Sequence, residues 1–390
     1  MPPSSPPFSR QGPRPAALHL SLALASAMSL PAALMLSKHG LLNLKGEAKR
    51  LQSQLAKLPH AELGQQLGSA ATQQLDELTR GIQAYRQHPA HRILNDMPTI
   101  WREGSARVLD YGGTGPLVLF VPSLINRAYI LDLDEKRSMM RGLVKKGLHP
   151  LLLDWGAPGR LERDFTLDDA VGRLVRALRY IGEPVHLAGY CMGGLIAMAA
   201  VPRYEVQSLT LMATPWDFHA DRRDMADRTA QLWEQWQPIA SKAGVLPVDA
   251  IQSLFVLADP MGPPRKFRQF AKLKPDSPAA RNFVLLEDWI NDGVSLPHKI
   301  AAECLDGFYG RNITATGEWL VNPKDIHVPT LVMVPTADYI VPPKSARPLG
   351  RLIPHAQRLD IPLGHVGMIV SREAPKLVWG PLAKWMKSID

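Results

Sequence analysis

From residue 106 onward the chain alternates between short, continuously apolar runs and longer runs in which apolar positions recur at the period of a helix. The apolar runs Arg107–Tyr111, Leu117–Pro122, Pro150–Asp154, Val185–Tyr190 and Val206–Ala213 read as strands. Helical patterns at Glu135–Lys146 and Leu167–Ile181 separate some of them. Alternation of this kind predicts βαβ units and a mostly parallel sheet flanked by helices. The run Leu117-Val118-Leu119-Phe120-Val121 has no polar position on either face, as a central strand covered on both sides requires. Near residue 216 the alternation stops. Residues 216–321 are rich in Trp, Pro and charge and read as largely helical and irregular. Strand signals return at Thr330–Val334 and Gln357–Ile361, and a closing helix is predicted over Ala374–Lys387. The pattern divides the chain into an α/β core, 96–215 with 322–390, and an insertion, 216–321, of the kind that forms a cap or lid.

The first 95 residues follow a different pattern and are read as a lead and a helical arm. Residues 1–15 are dominated by Pro, Ser and Arg, a composition that favours disorder. Residues 16–37 are apolar but small, and are interrupted by His19, several serines and Pro31, too polar a run for a membrane-spanning helix. Arg10 and Arg14 before it and Ala25-Ser26-Ala27 within it imitate a signal peptide. The long polar lead favours an amphipathic or interfacial helix instead. Residues 46–87 read as helices, with Leu51, Leu55 and Leu58 at helical spacing. This arm either packs on the core or binds a partner or a granule.

Composition adds few exclusions. With 390 residues, 46% hydrophobic and 21% charged, the chain is long enough for a sizeable core. Its only cysteines, Cys191 and Cys304, argue against a disulfide framework and point to a reducing, cytoplasmic setting. No Cys/His cluster has metal-ligand spacing, so neither metal nor cofactor is expected. The net charge of +9 comes from scattered Lys and Arg without a nucleic-acid motif, and no nucleic-acid partner is expected. A phosphate-bearing substrate such as a coenzyme A thioester fits a basic surface, although charge alone does not single it out.

The chemistry centres on Gly189-Tyr190-Cys191-Met192-Gly193-Gly194. A predicted strand, Val185–Ala188, precedes it and a helical run, Leu195–Ala200, follows. Gly-x-Ser-x-Gly in this setting is the nucleophile elbow of the α/β-hydrolase fold, here with cysteine in place of serine. In that fold an acid and then a histidine follow the nucleophile in sequence. Asp338 follows the strand Leu331–Val334, and His365 follows the last strand in Pro362-Leu363-Gly364-His365. Both lie just past strand C-termini, where open α/β sheets place their sites. Asp325 and Asp360 are competing acids in poorer positions, and His149, His186 and His327 read as structural. Cys304 lies in a helical pattern without an elbow. An oxyanion hole would use the backbone N–H of Met192 and one from the loop Ser123-Leu124-Ile125-Asn126, with Leu124 favoured and Ile125 the alternative.

Several separated stretches resemble the polyhydroxyalkanoate (poly-3-hydroxybutyrate) synthase family of the α/β-hydrolase superfamily. They are Val121–Leu133, Arg141-Gly142-Leu143 with Leu153-Asp154-Trp155-Gly156, the cysteine elbow, Trp289-Ile290-Asn291-Asp292 with Leu296-Pro297, Asp338-Tyr339-Ile340-Val341-Pro342, and Gly364-His365. The resemblance spans residues 80–390 and is nearest the shorter catalytic subunits of two-subunit synthases; Ser123 stands where many members have proline. It implies Cys191 as the acylated thiol, His365 as the base and Asp338 as its partner. It also implies 3-hydroxyacyl-coenzyme A as substrate, a polyester chain or granule surface as partner, and a second subunit or a homodimer.

Cysteine suits that chemistry because a coenzyme A thioester and a Cys191 thioester are alike, so acyl exchange between them is nearly thermoneutral. The elbow, acid and histidine also serve an intracellular polyhydroxyalkanoate depolymerase or a thioesterase, which differ only in admitting water as acceptor. A non-catalytic granule scaffold is the third reading, and it leaves the intact elbow without a use. Trp216, Trp233, Trp236 and Trp289 in the insertion are expected either as an apolar cover or as ordinary packing.

Overall fold

The computed structural model describes residues 10–38, 46–55, 59–95 and 97–389. An eight-stranded sheet is built from β1 (Thr99–Glu103), β2 (Ala106–Asp110), β3 (Leu117–Val121), β4 (His149–Asp154), β5 (His186–Tyr190), β6 (Ser208–Met212) and, after a short two-stranded pair of β7 (Val245–Leu246) and β8 (Leu296–Pro297), β9 (Thr330–Pro335) and β10 (Gln357–Ile361). The order is β1-β2-β4-β3-β5-β6-β9-β10. Within this sheet every pairing from β4 across to β10 is parallel, and β1–β2 and β2–β4 are antiparallel. This is the α/β-hydrolase sheet that the alternating pattern predicts. Val118, Leu119, Phe120 and Val121 of β3 have no exposed surface, in keeping with a strand walled by helices on both faces.

The predicted strands are recovered to within two residues at each end. β1 was not foreseen. Thr99-Ile100-Trp101-Arg102-Glu103 is short and half exposed, so it lacks the apolar run that marks a buried strand. It pairs Glu103 with Ala106 across a two-residue turn in which Gly104 adopts a φ of 56°. Gly-Ser between two β-rich runs was the available signal for this hairpin.

The helix at Leu167–Ile181 has its predicted limits because both ends are chemically specified. Thr166 Oγ1 accepts from the Asp169 N–H at 3.2 Å and Asp169 Oδ2 accepts from the Thr166 N–H at 2.9 Å, a reciprocal cap. Gly182 ends the helix at a φ of 66°. The predicted Glu135–Lys146 helix is shorter, Met139–Lys145, since Asp134 folds the preceding residues into a turn by accepting from the Lys136 and Arg137 N–H groups.

By contact the chain divides into two compact units, one of residues 1–91 with 252–291 and the other of residues 92–251 with 292–390. This division cuts across the expected 216–321 insertion, placing 252–291 with the N-terminal residues. The first unit contains α1 (Ala16–Lys38), α2 (Glu47–Leu55) and α3 (His60–Gln87), together with helices at Gly262–Phe270 and Pro278–Asn291. Its core gathers Ala23, Leu78, Ile82, Tyr85, Phe267, Phe270, Ala280 and Val284. Phe270 stacks on Phe283 at 4.3 Å. Trp289 of this unit and Trp216 and Trp233 of the other are buried, while Trp236 is half-buried.

Two N-terminal expectations are corrected. The helix over 16–37 forms, but it is not amphipathic: its small apolar residues surround the axis instead of gathering on one face. Among the described residues no helix is long and apolar enough to cross a membrane. Residues 10–15 belong to the folded structure. The Arg10 guanidinium bonds both Asp288 oxygens, at 2.6 and 3.0 Å, and the Arg14 N–H donates to Asn291 Oδ1 at 2.8 Å. Residues 1–9, and Leu58 of the leucine repeat, lie outside the described residues.

One buried charge in the second unit, Asp132, is 1% exposed and gathers several partners. Arg141 bonds it through Nε (2.8 Å) and Nη2 (3.1 Å), Tyr111 donates its hydroxyl at 3.0 Å, and Arg92 approaches at 3.4 Å. Replacing one member of such a cluster strands the others without a counter-charge. Asp132→Ala is therefore expected to destabilise the protein by about 3–5 kcal/mol in denaturant unfolding followed by tryptophan fluorescence. Gly193→Ala is expected to cost about 1–3 kcal/mol, because the new Cβ would lie 2.0 Å from the Val121 carbonyl oxygen, on backbone that cannot swing aside. Gly68→Ala, in an exposed turn of α3 with nothing within 4 Å, is expected to stabilise by about 0.5–1 kcal/mol in the same measurement.

Candidate active site

The site is assembled at the C-terminal edge of the parallel strands. β5 runs between β3 and β6 and ends at Tyr190, and the helix Met192–Ala200 begins two residues later. Cys191 alone makes the reversal, at φ 57° and ψ −129°, a conformation that L-residues seldom adopt. The turn is held from both sides. The Cys191 N–H donates to the Met212 carbonyl at the end of β6 (2.9 Å), and the Gly194 N–H donates to the Cys191 carbonyl (3.0 Å). The close packing explains the flanking glycines. A Cβ on Gly189 would fall 2.4 Å from the Gly194 Cα, and one on Gly193 would strike β3. Cys191 is partly exposed.

β9 and β10 are adjacent and parallel, with Ile361 beside Pro335, so the loops leaving them emerge side by side. The Thr336 N–H donates to the Ile361 carbonyl (2.7 Å) and the Ala337 N–H to that of Leu363 (3.0 Å), which ties the two loops together. The Asp338 carboxylate is 0% exposed. Its Oδ1 accepts from the Ile340 and Val341 N–H groups (2.8 and 2.9 Å), and its Oδ2 meets His365 Nδ1 at 2.7 Å. Cys191 lies close enough to the same imidazole to act on its charge. The three residues singled out in the sequence are thus brought together, with His365 between the acid and the thiol.

The electrostatics follow from that placement. Burial by itself disfavours a charged imidazole. The interaction with Cys191, the hydrogen bond to Asp338 and the charge of Asp338 outweigh it and raise His365 from 6.5 to about 10. The arrangement favours a proton on the imidazole. Cys304, by contrast, is 4% exposed, and burial pushes its thiol up, away from the reactive thiolate.

The loop after β3 carries the remaining candidates. The Ile125 N–H is engaged by Ser123 Oγ at 3.2 Å, whereas the Leu124 N–H makes no hydrogen bond among the described residues. Met192 is the first residue of its helix, so its N–H is one of those a helix leaves unpaired. The loop is pinned by contacts that sequence reasoning did not identify. Trp155 Nε1–H donates to the Pro122 carbonyl (3.0 Å), the Val294 N–H to that of Ile125 (3.1 Å), and Asn126 bridges to Gly293. Trp155 and residues near Gly293 stand in the family-like stretches, which was the one signal for them.

The competing residues are occupied elsewhere. Asp360 pairs with Arg347 and Arg358, and Asp325 sits in an exposed 3-10 turn. His149 bonds Asp110 at 2.6 Å, His186 bonds Ser208 at 2.7 Å, and His327 is exposed. Among the described residues no group of acidic, His and Cys side chains is arranged to hold a metal ion.

Residues 116–371 match the family described as alpha/beta hydrolase fold. Three curated relatives carry the comparison further. The poly(3-hydroxyalkanoate) polymerase subunit PhaC of Allochromatium vinosum is 31% identical over 288 residues, covering 69% of this chain and 80% of that protein. Proteins of the same name from Haloarcula marismortui and Haloferax mediterranei are 30% and 28% identical, over 69% and 73% of this chain. The chain spans 60% and 62% of the length of those two relatives. With the elbow, the sheet order and this similarity in place, the chain belongs to the α/β-hydrolase fold family and, within it, to the poly(3-hydroxyalkanoate) polymerase subunit PhaC family.

Proposed function

We propose that this chain is an acyltransferase that polymerises 3-hydroxyacyl-coenzyme A into polyhydroxyalkanoate through an acyl group carried on Cys191. The observation that carries this reading is the His365 imidazole hydrogen-bonded to Asp338 and close to Cys191, with the cysteine at the tip of a strained elbow. Family membership supports the substrate class. In this reading Asp338 fixes the imidazole tautomer and offsets its charge. The Cys191 thiolate attacks the thioester carbonyl, and the Met192 and Leu124 N–H groups receive the developing oxyanion. Coenzyme A leaves as a thiol with the proton held on His365. His365 then takes the proton from the 3-hydroxyl of the next acyl group, whose oxygen attacks the Cys191 thioester. An ester bond forms, the carbon–sulfur bond breaks, and the thiolate returns. Water must be kept from the acyl-enzyme. The aromatic cluster of Trp216, Phe218, Phe308, Tyr309 and Trp319 is the proposed cover. The proposed partners are a second synthase subunit or a second copy of the chain, and the polyester surface of a cytoplasmic granule.

Incubation with 3-hydroxybutyryl-coenzyme A, with and without a second synthase subunit, is expected to release coenzyme A and form insoluble polyester. Release of coenzyme A with free hydroxy acid alone would replace this reading with the hydrolase. Mass spectrometry of the trapped acyl-enzyme should find the adduct on Cys191, and an adduct on Cys304 would overturn the site. Cys191→Ala should abolish loading, and His365→Ala should lower the rate of coenzyme A release by about 10²–10⁴-fold.

The His365 imidazole should titrate near pH 10 in NMR and move back toward 6.5 in Asp338→Asn. Because the folded-state value is raised, the stability that Cys191 and Asp338 together confer on the charged imidazole is complete below pH 6.5 and is lost as pH rises through about 10. The advantage of the wild type over Asp338→Asn in thermal melts should shrink across that interval.

A further inference from the structure

Tyr190 occupies the variable position of the elbow, which the motif leaves open to any residue. It is 3% exposed, and its ring lies against the His365 imidazole, with centroids 5.0 Å apart and planes inclined by 33°. Its hydroxyl donates to the backbone carbonyl of the same histidine at 3.1 Å. One side chain therefore touches His365 twice, at the face of the ring and at the main chain. The two contacts restrain different motions. The hydrogen bond fixes the height of the loop Leu363–Gly367, and the ring face limits rotation of the imidazole about its bond to the backbone. An aromatic face also attracts a cation resting on it, and the site favours a protonated imidazole.

We propose that Tyr190 is a positioning residue that holds the His365 imidazole in register with Cys191 and favours its protonated form. The proposal rests on the reading of Cys191 and His365 as nucleophile and base. The phenol is suited to the task because burial, together with the charges of Cys191 and Asp338, pushes its ionisation well above the usual tyrosine value, so it remains a donor throughout the working pH range. The ionisable groups around the imidazole are Asp338 from the loop after β9, Cys191 from the elbow and Tyr190 itself. Tyr309, from the π-helical turn Glu303–Arg311, carries a hydroxyl close enough to feel the Cys191 charge. Of these, Tyr190 is the one that touches the histidine at both ring and backbone.

The test compares Tyr190→Phe and Tyr190→Leu in the full chain by three measurements: His365 titration by NMR, alkylation of Cys191 by iodoacetamide across pH, and coenzyme A release from 3-hydroxybutyryl-coenzyme A. Tyr190→Phe keeps the ring and loses the hydroxyl bond. It is expected to slow alkylation and lower kcat about threefold with KM unchanged, leaving the His365 titration close to its wild-type position. Tyr190→Leu loses both contacts. It is expected to move the titration down by about one pH unit and to slow alkylation about tenfold. An unshifted titration and wild-type alkylation in a folded Tyr190→Leu would overturn the proposal. Should the leucine variant fail to fold, wild-type alkylation and kcat in Tyr190→Phe would overturn it alone. Graded loss of alkylation in a chain that forms no polyester would uphold the positioning role while removing the polymerase reading, because alkylation requires no acyl substrate.

Discussion

The positive φ at Cys191 is available only because three parallel strands meet there. β5 delivers the chain to the turn between β3 and β6, and a helix must start at once to leave the sheet edge. One residue carries the reversal, its N–H caught by the end of β6 and its carbonyl by Gly194. A backbone this unfavourable persists only when its surroundings over-determine it. Here the packing of Gly189 and Gly193 against neighbouring backbone supplies that determination, and the thiol is presented at the sheet edge where the loops from β3, β9 and β10 also arrive.

Those loops give the thiol its electrostatic setting. Asp338 is saturated with hydrogen bonds on one oxygen and commits the other to His365. The imidazole, although buried, sits between two sources of negative charge that outweigh its desolvation. On the proposed reading, a cysteine in such a pair is suited to thioester exchange. Cys304, buried without a base, is not. The contrast arises from placement alone, since the two side chains are chemically identical.

The family-like stretches serve two purposes in the folded chain. Some lie at the site, among them the elbow and the two loops after β9 and β10. Others are structural. Buried Asp132 is held by the partly exposed Arg141 and by Tyr111, and Gly142 lies so close to Trp379 that a Cβ there would fall 2.5 Å from the indole. Trp155 joins the two roles, packing in the core while its indole N–H holds the carbonyl that leads into the Ser123–Asn126 loop.

The sheet, its largely parallel order and the chain order of Cys191, Asp338 and His365 were legible in the sequence, because burial on both faces writes continuous apolar runs and a strained elbow demands small neighbours. β1 was not legible, since a half-exposed edge strand needs no apolar run. The pinning of residues 10–15 was not legible either: Arg10 is ordered by Asp288, a residue nearly three hundred positions away that no local pattern connects to it. Nor did spacing reveal that residues 252–291 pack with the N-terminal helices, or that Tyr190 lies against His365. Local propensity and periodicity report what a residue needs from its immediate neighbours. Which distant side chains meet, and whether a given amide or thiol is left available, is decided only when the strands are laid side by side and their loops converge.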